Sequence, residues 1–324
     1  MKYRKYMENT ASDQYLLKTA VLFLIFNRED TTKLVFEQIK IAQPTRLYIA
    51  SDGPRINKEG ENQIVKKIRD LVISQIDWNC EIKTLFRKEN LGCGKAVSSA
   101  VSWFFSHEEE GIILEDDVVP HSDFFEYCEI LLEKYRNNLE VAFISGKTYM
   151  QDSRKVSSSY YFSCFSYVWG WASWRRVWQK YSLTLDNINY TNLSRSLDIL
   201  FTKPEHKLYW KWIYWLMKYR QIDTWDYQLT LLFLSNRWLS IIPKNNLVKN
   251  IGFGNDATHT KTTFLSESEN TAYSILPLEH PLSIHRNIIA DIEDTMQQKR
   301  FLSLSNFWLS WIKVWIKVKI LKRK

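Results

Sequence analysis

Three adjacent acidic residues, Glu115, Asp116 and Asp117, directly follow a short apolar run at residues 111–114. Carboxylates crowded at the end of a buried strand repel one another and lose hydration, and a cation would relieve both effects. Mg²⁺ and Mn²⁺ prefer carboxylate oxygens and keep coordination positions for phosphate oxygens. The triplet therefore predicts a metal site for a diphosphate-bearing substrate. The alternative is that one acid begins the next helix and the others are solvated.

Polar residues also follow the other predicted strands. Asn27 and Arg28 come after the first apolar run, and Asp52 lies in an Asp-Gly pair after the second. Ligands of parallel sheets bind beyond the carboxyl ends of the strands, so these side chains are expected to converge with the acidic triplet. The stretch from Asn90 to Lys95 contains two glycines and opens a helix, whose N-terminus favours an anion. Simple turns are the alternative for the Asp-Gly pair and for the glycine-containing stretch.

A further carboxylate, Asp226, lies between Trp225 and Tyr227. Flanking aromatic rings remove water from a carboxylate and make it a better proton acceptor, which suits a general base. The alternative is an acid at the N-terminus of a helix, where the helix dipole favours it.

The aromatic content of 15% is unusual, and nine of the 14 Trp lie between residues 169 and 238. Most of these rings are expected in the core. Trp169 and Trp171, on either side of Gly170, are the candidates for stacking on a sugar ring of an acceptor.

Strand-like and helix-like patterns alternate through the first half of the chain and predict a doubly wound α/β sheet that is mostly parallel and flanked by helices. The predicted strands are residues 20–26, 46–53, 80–86, 111–114 and 140–145. The predicted helices of this half are residues 31–42, 59–75, 93–107 and 121–136. Beyond about residue 150 the alternation weakens, and helices are predicted at residues 171–180, 205–220 and 225–236.

Composition excludes several classes of protein. Apolar residues make up 45% and charged residues 25%, which is globular composition. The four Cys form no CxxC pair, which argues against a cysteine zinc site and favours a reducing, cytoplasmic compartment. Of the formal charge of +8, residues 301–324 carry +6, so the remainder offers no basic face for nucleic acid. No P-loop or dinucleotide fingerprint is present in the sequence.

Taken in order, the segments described above resemble a GT-A-fold glycosyltransferase, in particular the N-acetylglucosaminyltransferase I type and its bacterial relatives. The segments that carry the resemblance lie between about residues 20 and 262: IFNRED, SDGP, NLGCGKAVSSAVSWFF, GIILEDDVVPHSDFFEYC, YYFSCFSYVWGWASWRRVW, TWDYQL and NLVKNIGFGNDATHT. The resemblance implies a GT-A domain at 20–290, with a nucleotide-sugar half at 20–150 and a Trp-rich acceptor half at 151–290.

The resemblance also implies roles for individual residues. Asp117 matches the ligand of Mn²⁺ or Mg²⁺, and His259 weakly matches late positions that contact the metal or a phosphate. Asp226 matches the base that deprotonates the acceptor hydroxyl. Asp116 and Glu115 match positions near the donor ribose and sugar, and Arg28 and Asp52 match nucleotide contacts, Asp52 toward the uracil. Further candidates for binding the nucleotide-sugar are Asn27, Asn90, Lys95 and Trp225. Tyr227 stands where the family has a second Asp.

The implied reaction is a single inverting displacement from a nucleotide-sugar, UDP-linked with UDP-GlcNAc among the candidates, to a glycan or lipid-linked glycan. The acceptor half diverges most, so the acceptor is not implied. Two alternatives stay open: a non-catalytic carbohydrate-binding protein on the same fold, and a sugar-nucleotide nucleotidyltransferase. The second lacks support because the segment after the first strand, IFNREDTT, contains no Gly.

The two termini differ from the central domain. Residues 1–19 are a polar arm without the apolar core of a signal peptide, and no apolar run is long enough to span a membrane. Residues 291–324 form a basic tail. Placed on a helix, residues 301–324 show an apolar face with bordering Trp and a basic face, which predicts peripheral contact with the cytoplasmic face of the inner membrane. Packing of this helix on protein is the alternative.

Overall fold

The computed structural model describes residues 16–150, 152–219, 222–252 and 274–299. The predictions for His259, for most of the N-terminal arm and for the tail beyond residue 299 concern residues outside these ranges. Within them, no helix is long and apolar enough to cross a membrane.

Ten strands and nine α-helices are found in the described residues. The strands are β1 (Val21–Ile25), β2 (Arg46–Ser51), β3 (Glu81–Phe86), β4 (Glu110–Glu115), β5 (Val118–Pro120), β6 (Val141–Ser145), β7 (Tyr160–Ser163), β8 (Trp171–Trp174), β9 (Leu239–Pro243) and β10 (Val248–Asn250). The helices are α1 (Glu29–Ala42), α2 (Glu61–Ser74), α3 (Cys93–His107), α4 (Asp123–Tyr135), α5 (Arg175–Trp178), α6 (Tyr190–Leu200), α7 (Pro204–Lys218), α8 (Asp226–Asn236) and α9 (Ile288–Lys299).

Eight strands form one central sheet in the order β3-β2-β1-β4-β8-β6-β9-β7, and β10 pairs with β5 in a separate two-stranded sheet. Only β8 and β7 run antiparallel to the other strands of the large sheet. The sheet is therefore mostly parallel, as predicted. The chain steps outward from β1 to β2 and β3 and then returns to β4 on the other side of β1, which creates a topological switch point between β1 and β4.

Helices cover both faces of this sheet, as the α/β pattern predicts. A Cβ atom on Gly111 of β4 would overlap the ring of Phe104 on α3. On α4, the ring of Phe124 lies 3.4 Å from the corresponding Cβ position of Gly170, and Leu114 of β4 lies 3.5 Å from it. Because Gly111 and Leu114 are three residues apart in a strand, they point to opposite faces of the sheet.

The helix predicted at residues 171–180 is wrong over its first four residues, which form β8. Trp171, Trp174 and Trp178 are spaced as on one face of a helix, but β8 fills the gap between β4 and β6 and pairs with both. Backbone hydrogen bonding to two neighbours in the centre of a sheet outweighs the local helical spacing. The short helix α5 begins only at Arg175. Strands β5, β7, β9 and β10 and helices α6 and α9 were not predicted from the sequence.

The Trp-rich region forms part of the hydrophobic core. The buried tryptophans of this region are Trp171, Trp174, Trp178, Trp210, Trp212, Trp225 and Trp238. The Trp171 ring stacks on Phe143 at 5.0 Å between centroids and on Trp225 at 5.8 Å. These contacts join a strand of the first half of the chain to the second half through apolar packing.

Candidate functional site

A cleft of about 960 Å³ opens at the carboxyl ends of β1, β2 and β4, where the strand order reverses. The sequence-predicted site residues that line it are Asn27, Arg28, Asp52, Asn90, Glu115, Asp116, Asp117 and Trp169. Candidates more than 140 residues apart in the sequence are therefore brought to one place. Lys95, Gly170, Trp171, Trp225 and Asp226 are not among its lining residues.

The acidic triplet lies in the sharp turn between β4 and β5. Oδ2 of Asp116 accepts a hydrogen bond from the backbone N–H of Phe26, 3.0 Å away, at the end of β1. Oδ2 of Asp117 pairs with Nη1 of Arg28 at 2.7 Å. A Cβ atom on Gly252 would overlap the Asp117 carboxylate, so the backbone after β10 packs directly against it. Side chains and backbone from β1, β4 and β10 thus converge on the triplet.

Negative charge exceeds positive charge around the triplet. Burial raises the pKa of Asp116 to about 7, and the charge of Asp117 contributes in the same direction. Burial, followed by the charges of Asp117, Asp116 and Asp226, raises the pKa of Glu115 well above its ordinary value. Arg28 opposes both shifts without cancelling them. A bound cation would stabilise the ionised form of these carboxylates.

The donor set fits a metal ion that is shared with a substrate. In the part of the chain that the structure describes, no three Asp, Glu, His or Cys side chains are grouped to hold a metal by themselves. Mg²⁺ needs fewer protein ligands, since it binds through one or two carboxylates together with substrate phosphates. Asp117, which is partly buried and lines the cleft beside Asp116 and Glu115, meets that requirement.

A second charged network forms the wall of the cleft beside β1, and sequence analysis missed it. Glu61, at the start of α2, is 3% exposed. Its carboxylate accepts hydrogen bonds from the guanidinium of Arg55, from the backbone N–H of Arg55 at 2.6 Å and from Nδ2 of Asn27 at 2.9 Å. Arg55 also lies over the ring of Phe26, 5.5 Å from its centroid. Asn27, which was predicted to contact a ligand, therefore uses its side-chain amide to hold the Glu61 carboxylate in this structure.

Asp52 and Asn90 tie two loops of the cleft together. The Asp52 carboxylate accepts hydrogen bonds from the backbone N–H groups of Gly53 at 3.0 Å and of Leu91 at 3.0 and 3.1 Å. Nδ2 of Asn90 donates to the carbonyl oxygen of Gly53 at 2.8 Å. Burial raises the pKa of Asp52, although the backbone donors oppose the shift. Asp52 therefore braces the 90–92 loop at the same time as it lines the cleft.

The N-terminus of α3, predicted to bind an anion of a ligand, already has an anion from the chain itself. Oδ1 of Asp223 accepts a hydrogen bond from the backbone N–H of Gly94 at 3.0 Å. Cβ atoms on Gly92 and Gly94 would lie 2.8 and 2.7 Å from the Asp223 carboxylate, so the two glycines make room for it. Lys95 is exposed and does not line the cleft. Asp223 lines the cleft, and its one signal in the sequence is its place directly before the TWDYQL segment.

Asp226 is the first residue of α8 and does not itself line the cleft. Its negative charge raises the pKa of Glu115 and, together with burial and other acids, the pKa of Cys93 to about 12. Both of those residues line the cleft. The side chain of Trp225 points into the core, where it stacks on Trp171 and lies near Trp178.

The three residues predicted to contact an acceptor lie in different environments. Trp169 lines the cleft and is only partly buried, with the ammonium of Lys147 5.1 Å from its ring centroid. Gly170 has a left-handed backbone conformation, with a φ of 58°. Its carbonyl oxygen accepts a hydrogen bond from the backbone N–H of Gly146, 2.7 Å away. Trp171 is 1% exposed, so its ring lies in the core and not on a surface that a sugar can reach.

No family model matches the chain, and no curated relative was found. Three solved structures are similar in part. HddC from Yersinia pseudotuberculosis has 11% identity and a TM-score of 0.32 over 50% of this chain and 80% of that one. S. aureus TarS 1-349 has 13% identity and a TM-score of 0.35 over 50% and 48%. UDP-glucose pyrophosphorylase, solved with UDP-glucose, has 10% identity and a TM-score of 0.36 over 72% and 91%.

Proposed function

We propose that this chain is a metal-dependent, inverting glycosyltransferase that moves a sugar from a nucleotide-sugar, UDP-linked, to a hydroxyl group of a glycan or lipid-linked glycan. The observation that carries the proposal is the group of three carboxylates with Arg28 at the switch point of the sheet, on the wall of a cleft of about 960 Å³. A nucleoside diphosphate sugar brings a diphosphate, which such a site binds through a shared metal ion.

The charged groups of the cleft and the nearby Asp226 have separate parts in the proposed reaction. Asp117, with Asp116 or Glu115, would hold Mn²⁺ or Mg²⁺, which when bound supplies a Lewis acid for the charge on the departing nucleoside diphosphate. Arg28, already at Asp117, adds a fixed positive charge beside the diphosphate. Asp226 accepts the proton of the acceptor hydroxyl. At the same time the oxygen of that hydroxyl bonds to the anomeric carbon of the donor sugar, and the bond between the anomeric carbon and the diphosphate breaks. One displacement inverts the anomeric configuration.

Calorimetric titration with UDP, with and without Mn²⁺, tests the donor site. We expect Mn²⁺-dependent binding to the wild type and none to Asp117→Ala. Asp70→Ala is the matched control, since Asp70 is an exposed acid of α2 outside the cleft. Equal binding to both variants would reject the metal–diphosphate site. If GDP, CMP or dTDP binds and UDP does not, only the proposed identity of the donor nucleotide changes.

The reaction class is tested by product analysis. We expect release of UDP from a UDP-sugar and, by NMR, an inverted anomeric configuration in the product. Pyrophosphate release from UTP and a hexose 1-phosphate would indicate a nucleotidyltransferase. Binding of UDP and glycan with no turnover of any donor would indicate a carbohydrate-binding protein.

We also propose that residues 301–324 attach the enzyme to the cytoplasmic face of the inner membrane. The support is the amphipathic, basic pattern of the sequence. In flotation with vesicles of phosphatidylglycerol and phosphatidylcholine, the full chain should float and a chain ending at residue 300 should not. Flotation that is unchanged by the deletion, or by 0.5 M salt, would contradict an electrostatic attachment.

A further inference from the structure

The segment that leads into α8 is fixed to both halves of the molecule. On one side, Asp223 accepts the N–H of Gly94 at the N-terminus of α3. On the other, the buried ring of Trp225 stacks on Trp171, and its carbonyl oxygen accepts the hydroxyl of Tyr181 at 3.0 Å. The residue between these two anchors, Thr224, is therefore held in place by contacts that do not depend on its own side chain.

Thr224 contacts the carboxylate of Asp226 directly. Its hydroxyl donates a hydrogen bond to Oδ1 of Asp226. Its carbonyl oxygen accepts a hydrogen bond from Nε2 of Gln228, 2.9 Å away. Only 8% of Thr224 is exposed, and it does not line the cleft. A hydroxyl ahead of a helix usually caps a backbone N–H, whereas this one is committed to a side-chain carboxylate.

We propose that Thr224 is a positioning residue for Asp226. Its hydroxyl binds Oδ1 and fixes the rotation of the carboxylate, which leaves Oδ2 as the oxygen that takes the proton from the acceptor. Asp223 and Trp225 supply the rigid backbone on which this orientation depends. The inference rests on the proposed function of Asp226 as the base, and it adds which residue orients the carboxylate of that base.

The test compares Thr224→Val, which removes the hydroxyl and keeps the shape, with Thr224→Ser, which keeps the hydroxyl. Thr230→Val is the matched control, because the Thr230 hydroxyl bonds the carbonyl oxygen of Asp226 at 3.2 Å and not its carboxylate. With UDP-GlcNAc as donor, we expect kcat of Thr224→Val to fall roughly 10- to 100-fold, as for a misplaced catalytic group. Thr224→Ser and Thr230→Val should stay near the wild type, and the Kd for UDP should not change in any variant.

Equal kcat values for Thr224→Val and Thr230→Val would overturn the proposal, as would a loss of UDP affinity that matches the loss of kcat. Asp226→Asn separates the two levels of inference: full activity of that variant would reject the base itself, and with it the role of Thr224. Crystal structures of the wild type and Thr224→Val with UDP and Mn²⁺ give a readout that needs no turnover. A rotated Asp226 carboxylate in the variant supports the proposal, and an unchanged one overturns it.

Discussion

At the residue scale, the cleft is built from charged groups paired across strand ends. Arg28 and Asp117 come from the ends of β1 and β4, and Arg55 and Glu61 from the turn after β2 and the start of α2. Each pair fixes the position of a loop that would contact a ligand. Removal of one partner leaves the other partly buried without compensation, which costs more than the pair contributes when intact.

Glu61→Gln is expected to destabilise the protein in a pH-dependent manner. The hydrogen bond with Arg55 lowers the pKa of Glu61. A carboxyl whose pKa is lower in the folded state adds stability above its unfolded pKa and loses it as the pH falls through the folded value. We expect a loss of about 1–3 kcal/mol in the free energy of unfolding at pH 7, and a smaller loss near pH 3, below the unfolded pKa of a glutamate.

Urea denaturation of the wild type and Glu61→Gln at both pH values measures this loss. Glu37→Gln, at an exposed position of α1, is the control and should be close to neutral at each pH. A loss that is the same at pH 3 and pH 7 would mean that the charge of Glu61 is not its cause.

At the scale of elements, α3 and α8 meet through their N-termini. The Gly94 amide is capped by Asp223, a residue 129 positions later in the chain. The contact is close because the Cβ position of Gly94 is 2.7 Å from Oδ1 of Asp223 and 2.9 Å from the carbonyl oxygen of Thr224. A backbone approach of this kind requires glycine for lack of a Cβ atom, even where φ itself is ordinary.

Gly94→Ala is expected to lower the free energy of unfolding by about 1–3 kcal/mol, since the added methyl group forces the 223–224 segment away from α3. Asp223→Ala removes the cap of α3 and should lower the free energy of unfolding by about 1 kcal/mol. A double-mutant cycle by chemical denaturation measures the coupling. The double variant should lose less than the sum of the single variants, because the methyl group then has space on the Asp223 side. Strict additivity would show that the two sites do not touch.

At the scale of the whole molecule, one sheet includes strands from both halves of the chain. β8, from the second half, lies between β4 and β6, which belong to the first. The Trp171 ring packs between Phe143 and Trp225 across the same junction. Cutting the chain at residue 150 would therefore separate neighbouring strands in the centre of one sheet. It would not cut a linker between two independent domains.

We therefore expect a single cooperative unfolding transition for this part of the molecule. Tryptophan fluorescence, which reports mainly on the second half, and far-UV circular dichroism should give the same urea midpoint. A fragment ending at residue 150 should not show the native near-UV spectrum, because β4 and β6 would lack the strand between them. Two separated transitions, or a native-like fragment, would contradict this expectation.

Elements with a local signal could be predicted from the order of the amino acids alone. Apart from β5, the strands and helices from residue 20 to 145 follow from apolar runs and helical spacing. The polar residues at the ends of β1, β2 and β4 had to meet because parallel strands end at one edge of a sheet. That Arg28, Asp52 and the acidic triplet share one cleft was predictable for this reason.

Features that depend on contacts between residues distant in the sequence could not be predicted before the fold was known. Trp171 became a core residue of a central strand because β4 and β6 pair with it on both sides. Asp223 became the cap of α3, and Glu61 the partner of Arg55 and Asn27, because side-chain hydrogen bonds form between whichever groups the fold brings within reach. Hydrophobic periodicity does not encode such pairs, and it does not encode the hydrogen bond from the Thr224 hydroxyl to the Asp226 carboxylate either.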